Sequence, residues 1–247
     1  MNSLYIIIPA YNEEENIAST IEEWYEVVKE YDSDGKSRLV IVDDGSTDST
    51  LDICEKEKTG RELLEVINKK NGGHGSSIYV GYKYALSKGA DYIFQTDSDG
   101  QTSAAEFSEF ASACDRYEVQ IGNRKKREDG PARRIISRFV RFVVFLIFHV
   151  NADDVNTPYR LMKGEVLRKA MEFIPEEYNL TNVALTGIFG RMAKGKVKEI
   201  NKISIRYVPI SFKPRQGGTN SINPAHIVKI GIKAMANLYE INRKTGK

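Results

Sequence analysis

Residues 38–58 read RLVIVDDGSTDSTLDICEKEK, and the way this stretch divides decides the fold. Leu39 to Val42 form an unbroken apolar run. A run without polar alternation is what a strand shows when both of its faces are covered, as in a parallel sheet. The run stops at two aspartates, Asp43 and Asp44. Gly45 and the Ser/Thr/Asp residues after it are turn formers and helix caps, so a helix is placed over 46–58. Strand, polar loop and helix therefore follow one another within 21 residues.

The same order recurs on both sides. LYIII (4–8) reads as a buried strand, and EEENIASTIEEWYEVVKEY (13–31) as an amphipathic helix with Ile17, Ile21, Trp24 and Val28 spaced three or four apart. LLEVI (63–67) is a third strand and GSSIYVGYKYALSKG (75–89) a third helix, stopped by Gly89. DYIFQT (91–96) is a fourth strand. Apolar strands alternating with helices predict an α/β fold, a mainly parallel sheet flanked by helices on both faces. In such sheets ligands bind beyond the carboxyl ends of the strands. Three strands run into polar residues at that edge: PAYNEEE, DDGSTD and DSDGQ.

The second half is less regular. A strand is expected over 117–122, a helix over 131–150, a loop and a helix over 155–175, a helix over 182–195 and a strand over 202–212. A Gly-rich loop (213–224) and a helical end complete the chain. With no internal repeat and no Pro/Gly/Ser-rich linker, one domain is expected over residues 1–247.

Composition sets limits. A net charge of +2 gives no reason to expect nucleic acid as a partner. The two cysteines, Cys54 and Cys114, fit neither a disulfide framework nor a zinc site, so a reduced, cytosolic setting is expected. The stretch MNSLYIIIPAYNEEEN, with no basic residue and only a short apolar run, is not expected to act as a signal peptide. The longest apolar stretch, 142–150, is shorter than the roughly 20 residues a bilayer span needs.

The segment DSDGQ carries the chemistry. Residues i and i+2 of an extended segment point the same way, so Asp97, Asp99 and Gln101 converge. Gly100 allows an unusual backbone angle between them. Like charges this close resist joint ionisation without a cation, and two carboxylates with an amide oxygen suit a hard divalent ion.

These motifs together resemble the family 2 glycosyltransferases of the GT-A, Rossmann-like fold. IPAYNEEENI (8–17), VIVDDGSTDST (40–50), NGGHGSSIYVGYKYA (71–85) and QTDSDGQ (95–101) carry the resemblance. The second half more loosely resembles the branch of dolichyl-phosphate mannose synthases and polyprenyl-phosphate glycosyltransferases, through GNR (122–124), DDVNTPYRL (153–161) and VPISFKPRQGGTNSIN (208–223). The resemblance implies a nucleotide-sugar-binding half over 1–101 and an acceptor-binding half over 102–247. It implies that Pro9, Tyr11 and Glu13 line the nucleotide pocket, and that Asp43, with Asp44, binds base or ribose. Gly73 and Ser98 belong to the same pocket. Asp97 and Asp99 match the catalytic DxD motif, which grips the donor diphosphate through Mg²⁺ or Mn²⁺, and Gln101 matches a further metal ligand. Arg215 and the loop 217–221 close over the diphosphate.

Two departures stand out. His74 replaces the Lys often found in the NGGKG loop. The region NLTNVALTGIFG (179–190) lacks the acid pair that relatives acting on sugar hydroxyls usually carry. A hydroxyl nucleophile benefits from a general base, whereas a phosphate monoester is already an anion and needs only cations to hold it. Glu165, Glu176, Glu177, Asp153 and Asp154 stay open as alternative bases.

Residues 124–141 supply cations: Arg124, Lys125, Lys126, Arg127, Arg133, Arg134, Arg138 and Arg141. On a helix at about 100° per residue, Arg133, Arg134, Ser137, Arg138 and Arg141 share an arc of about 140°. Phe, Ile and Val cover most of the rest, the pattern of a helix lying in a membrane interface. The resemblance adds that Arg124, Arg133 and Ser137 hold an acceptor phosphate. A Phe-rich face packed on the protein's own sheet is the competing reading.

The expectation is an inverting, metal-dependent glycosyltransferase, a hexosyltransferase moving sugar from a UDP- or GDP-sugar to a polyprenyl phosphate. It is expected at the cytoplasmic face of the membrane, peripherally attached through this segment or through a membrane-protein partner. A saccharide acceptor in capsule or cell-wall polysaccharide assembly is the alternative. A non-catalytic nucleotide-sugar-binding protein and a nucleotidyltransferase are weaker fits. The intact DxD opposes the first, and the acidic loop after the first strand opposes the second.

Overall fold

The computed structural model describes residues 2–124, 130–176, 178–198, 200–213 and 224–246, and the side chains of 130–135 and 224–234 lie outside that description. One seven-stranded sheet takes strands from both halves of the chain, in the order β3-β2-β1-β4-β6-β5-β7. The strands are β1 (Leu4–Ala10), β2 (Arg38–Asp43), β3 (Leu64–Asn68), β4 (Tyr92–Gln95), β5 (Val119–Asn123), β6 (Arg160–Lys163) and β7 (Ile205–Pro209). β1 to β4 are mutually parallel, as expected. β6 runs antiparallel to both β4 and β5, and β7 lies parallel to β5. β6 therefore reverses a sheet that is otherwise parallel.

The helices are α1 (Ile17–Tyr31), α2 (Thr50–Lys58), α3 (His74–Ser87), α4 (Phe107–Ala111), α5 (Gly130–Phe148), α6 (Gly164–Met171), α7 (Thr181–Ala193) and α8 (Pro224–Thr245). Alternation along β1 explains its unbroken apolar run. Tyr5 and Ile7 enter the core under α3 and α7, while Leu4, Ile6 and Ile8 enter the core under α1 with Trp24. Both faces are filled, so no position is left for a polar side chain.

Several boundaries differ from the sequence expectation. α1 begins at Ile17 rather than 13, and α2 at Thr50 rather than 46, because the acidic and Ser/Thr residues ahead of them are spent on loop hydrogen bonds. The expected strand over 202–212 is confined to Ile205–Pro209. The segment 155–175 holds β6 as well as α6. Its four strand residues, RLMK, are too few to show a period.

α5 packs against α7 and α8 through Val143, Val144 and Phe148, all buried. Close approach requires small residues on α7. A Cβ on Gly187 would lie 2.6 Å from the Phe148 ring, and one on Gly190 would lie 2.2 Å from Val150. The other side of α5 is bare: Ile136, Phe139, Phe142, Phe145 and Leu146 are 41 to 56% exposed. The covered face of α5 thus meets α7 and α8, not chiefly the sheet as the competing reading had it, and most of its Phe residues are on the bare side.

Candidate active site

The parallel register brings the three polar loops to one edge. Ala10, at the end of β1, stands beside Asp43, at the end of β2, and Ile7 stands beside Gln95, at the end of β4. β6 begins at the same edge, since Arg160 pairs with Gln95.

The first two loops are laced together. Asn12 N–H donates to Ser46 Oγ (3.0 Å), and Asn12 Oδ1 accepts from Thr47 N–H (2.8 Å). Glu13 N–H donates to Thr50 Oγ1 (2.8 Å), Glu14 N–H to Asp48 Oδ2 (3.3 Å), and Ser49 N–H to Glu14 Oε2 (3.0 Å). Asn12 adopts φ 53°, a left-handed conformation that Asn tolerates better than most residues. Sequence reasoning missed this framework. Its signal was the density of Asn, Asp, Ser and Thr in two loops that follow neighbouring strands.

Asp43 is fully buried. Its Oδ2 accepts from the N–H groups of Gly45 and Ser46, both at 3.2 Å, while its Oδ1 is buried without a partner. A buried carboxylate oxygen left unbonded costs about 1–3 kcal/mol or more, so it marks a place where a donor is wanted. Asp44 is occupied. Lys69 Nζ and Gly72 N–H reach its Oδ1, and Gly73 N–H reaches Oδ2 at 2.8 Å. Burial would raise its pKa, but the Lys69, Gly72 and Ser77 hydrogen bonds outweigh that and hold the carboxyl below its usual range. Asp44 thereby clamps the loop that starts α3, with Gly73 at φ 88° as the residue before the helix.

Pro9 is buried in β1, Glu13 is buried beside Asn16 Nδ2 (2.9 Å), and Tyr11 is 45% exposed. Ser98 Oγ donates to Pro9 O (3.0 Å), and Thr20 Oγ1 donates to Ser98 O (3.2 Å), so Ser98 ties the third loop to the first. Thr96 and Thr102 hydroxyls close the base of that loop at 2.7 Å, and Gly100 turns it at φ 68°.

Asp97 Oδ1 is buried without a hydrogen-bond partner, and His74 Nε2 stands 3.6 Å from it. Asp99 Oδ1 accepts from Gln101 N–H (3.1 Å). Gln101 Nε2 donates to Lys213 O (2.9 Å), a bond that does not engage its Oε1. Among the described residues no three of His, Cys, Asp or Glu form a ready-made metal cluster. The donors here are two carboxylates and an amide, a set that fits a hard divalent cation, and the unpartnered Asp97 oxygen is where one would be satisfied.

Arg124 forms a two-point ion pair with Asp154, Nε to Oδ2 at 2.7 Å and Nη2 to Oδ1 at 3.0 Å, and its guanidinium lies 5.0 Å from the centre of the Phe212 ring. Ser137 is half-buried on α5. The Arg133 side chain, Arg215 and the loop 217–221 lie outside the described residues.

Arg160 was also missed. It is fully buried and donates to Thr157 O (2.7 and 3.1 Å) and Asn182 O (3.2 Å), with burial pulling its pKa down. A single Arg after NTPY carries no sequence signal of burial.

The alternative bases separate cleanly. β6 carries the chain away from the site edge, and Glu165, just beyond it, lines a cavity of about 420 Å³ with Asp91 and Asp115 at the opposite edge. Glu176 faces Lys83 at 3.7 Å, both exposed. Glu177 lies outside the described residues. Asp154 is held by Arg124. Asp153 is exposed, with Asn123 Nδ2 at 3.4 Å.

The chain matches the family described as Glycosyl transferase family 2 over residues 5–176. It is 25% identical over 224 residues to an undecaprenyl-phosphate mannosyltransferase of Micrococcus luteus, covering 88% of this chain and 86% of that one. It is 24% identical over 230 residues to a polyprenol monophosphomannose synthase of Mycolicibacterium smegmatis, covering 90% and 82%. The crystal structure of glucosyl-3-phosphoglycerate synthase from Mycobacterium tuberculosis with Mn²⁺, uridine diphosphate and phosphoglyceric acid superposes with a TM-score of 0.66. At 13% identity, over 98% of this chain and 78% of that one, this likeness establishes a shared fold.

Proposed function

The chain belongs to glycosyl transferase family 2, and on that premise we propose that it moves a sugar from a UDP- or GDP-sugar to a polyprenyl phosphate at the cytoplasmic surface of a membrane. The observation that carries the acceptor is the pairing of α5 with a site poor in bases. α5 continues a basic segment, bares a row of Phe and Leu to solvent, and lies next to α7, and residues 179–190, which lead into and form most of α7, contain no acid. The similarity to the undecaprenyl-phosphate and polyprenol enzymes supports the same reading.

The residues divide the work. Asp43 Oδ1 accepts a hydrogen bond from the base or ribose, in a pocket shaped by Pro9, Tyr11 and Glu13. Asp44, Gly73 and Ser98 shape the loops around the donor through their internal hydrogen bonds. Asp97, Asp99 and Gln101 hold Mg²⁺ or Mn²⁺, which when bound acts as a Lewis acid toward the diphosphate. Arg215 closes over that diphosphate. Arg124, Arg133 and Ser137 receive the acceptor phosphate, Arg124 being kept in place by Asp154. The bond from the anomeric carbon to the diphosphate oxygen breaks, and the acceptor phosphate oxygen bonds to that carbon from the opposite face. The configuration inverts. The acceptor arrives as an anion, so no proton has to be removed.

Among the described residues no helix is long and apolar enough to cross a membrane. Phe139, Phe142, Phe145 and Leu146 instead enter the interface from one side, with Arg138 and Arg141 at its headgroups.

One observation favours the saccharide alternative: Asp153 is exposed close to the Arg124 pair and has the form of a general base. A transfer assay separates the two. Labelled UDP- and GDP-sugars are supplied with Mn²⁺ and either polyprenyl phosphate or oligosaccharide. Label that enters the organic phase, and is lost in Asp99→Asn and Arg133→Ala, supports the lipid acceptor. Label confined to oligosaccharide and lost in Asp153→Asn overturns it.

A further inference from the structure

His74 is the residue of the donor edge that the reading above leaves unused. It is the first residue of α3, and its backbone is fixed from behind. Gly73, immediately before it, turns at φ 88° and donates its N–H to Asp44 Oδ2 at 2.8 Å. A Cβ at Gly73 would sit 2.5 Å from Asn179 Oδ1, so the turn is also confined from the α7 side. The backbone at the start of α3 is therefore held in place, with the His74 side chain turned toward the third loop. Its Nε2 reaches to 3.6 Å from Asp97 Oδ1, the carboxylate oxygen that is buried and has no hydrogen-bond partner. The His74 side chain is 51% exposed and that of Asp97 is 27%, so the pair opens to solvent on the histidine side.

We infer that His74 is a direct ligand of the divalent cation, through Nε2, alongside Asp97. The inference rests on the cation site proposed above and adds a residue to it. A 3.6 Å separation is too long for a hydrogen bond and lies between the two spacings that ligands of one octahedral ion take, so a shift of about 0.6 Å of the exposed imidazole brings both atoms onto one ion. Ligand atoms each about 2.1 Å from a metal stand about 3.0 Å apart at a right angle and about 4.2 Å apart when opposed. A lysine in this position, as relatives often carry, would be a cation facing the same carboxylate and could not ligate. The substitution therefore changes the chemistry of the edge from charge to coordination. An imidazole nitrogen in an otherwise all-oxygen set also has a consequence for metal choice. It favours Mn²⁺ over Mg²⁺, because magnesium prefers oxygen donors and gives up its water reluctantly.

The test reads the metal rather than turnover. Full-length protein labelled with [¹⁵N]histidine, and an unlabelled sample, are loaded with Mn²⁺ and UDP and examined by pulsed electron paramagnetic resonance. Expected is a directly bound nitrogen that changes from ¹⁴N to ¹⁵N coupling with the label and disappears in His74→Ala and His74→Lys, in which His149 and His226 remain. Calorimetry should show Mn²⁺ binding weakened about tenfold or more in His74→Ala, since even loss of an outer-shell partner costs that much. Mg²⁺ binding should fall less. Bound Mn²⁺ without nitrogen coupling overturns the inference and leaves the cation site standing. Tighter Mn²⁺ binding in His74→Ala overturns it as well, and would make His74 a cap that the ion displaces. If no Mn²⁺ binds the wild type with UDP present, both the ligand and the cation site fall.

Discussion

Replacing Asp154 by asparagine should cost this protein a large part of its stability. The Arg124 and Asp154 side chains are 8% and 6% exposed and meet through two charge-assisted hydrogen bonds. The carboxylate also accepts from Asn156 N–H at 3.1 Å, so it organises the turn before β6. Removing one member of a buried pair leaves the other charge unpaired in a medium that solvates it poorly, at about 3–5 kcal/mol. For a chain of this size, each kcal/mol moves the midpoint of thermal unfolding by roughly 2–4 °C, so a fall on the order of 10 °C is expected. Urea unfolding of wild type, Asp154→Leu, Arg124→Met and the double variant Arg124→Met/Asp154→Leu measures the pair as a cycle, with Asp154→Asn measured beside it. The singles should each lose several kcal/mol. The double should recover part of that loss, because two apolar side chains of similar volume remove both desolvated charges. A loss below about 1 kcal/mol in Asp154→Asn, with no coupling in the cycle, is the behaviour of a solvated surface pair and would refute the reasoning.

Three further outcomes follow from the same geometry. Asp43→Asn keeps an acceptor for Gly45 and Ser46 but turns the unpartnered oxygen into a donor. Affinity for UDP or GDP, whichever the wild type binds, should fall roughly 10- to 100-fold by calorimetry, and an unchanged affinity contradicts the assignment. Glu118 is held at a pKa of about 2: burial would raise it, but Ser204 and Lys163 hydrogen bonds outweigh this. Its folded pKa lies below the ordinary carboxyl value of 4.5, so its contribution is full above pH 4.5 and is lost as pH falls from there toward 2. Glu118→Gln should flatten that part of the stability profile, by about 1–2 kcal/mol after solvent screening. An acid limb identical to wild type argues against it. Finally, Phe139→Ser/Phe142→Ser/Leu146→Ser removes apolar groups worth about 1 kcal/mol each on partial burial. Sedimentation with anionic vesicles should drop at least tenfold with the fold intact by circular dichroism, and undiminished binding would move the membrane contact elsewhere.

The first four strands were legible because one physical cause sets both the strands and the loops at their ends. A strand covered on both faces must be apolar throughout, so the point where apolar residues stop is also the point where a polar loop starts at the sheet edge. Asp43 and Asp97 mark such points, and both carry an unpartnered buried oxygen. What the sequence did not disclose was which neighbouring polar residues face inward. Asp44 follows Asp43 directly, yet it clamps the α3 loop, and Asn12, Asp48 and Thr50 lace two loops together. Such roles depend on partners about 25 to 37 residues away, beyond the reach of local pattern. β6 was hidden by its shortness, and Arg160 by residue type, since arginine is almost never fully buried. α5 was half legible: its amphipathic period was plain, but only α7 and α8 decide which apolar residues are covered.

The most direct test of the acceptor is a comparison of polyprenyl phosphate with the corresponding polyprenol, at equal detergent concentration, with the same labelled nucleotide sugar and Mn²⁺. The two differ only in the phosphate. The account predicts transfer to the phosphate and none to the alcohol, because the phosphate is already an anion for the proposed arginines to hold, whereas the alcohol carries no charge and has to lose its proton to a base. Equal transfer to the alcohol, or transfer to neither alongside efficient glycosylation of a saccharide, would contradict it.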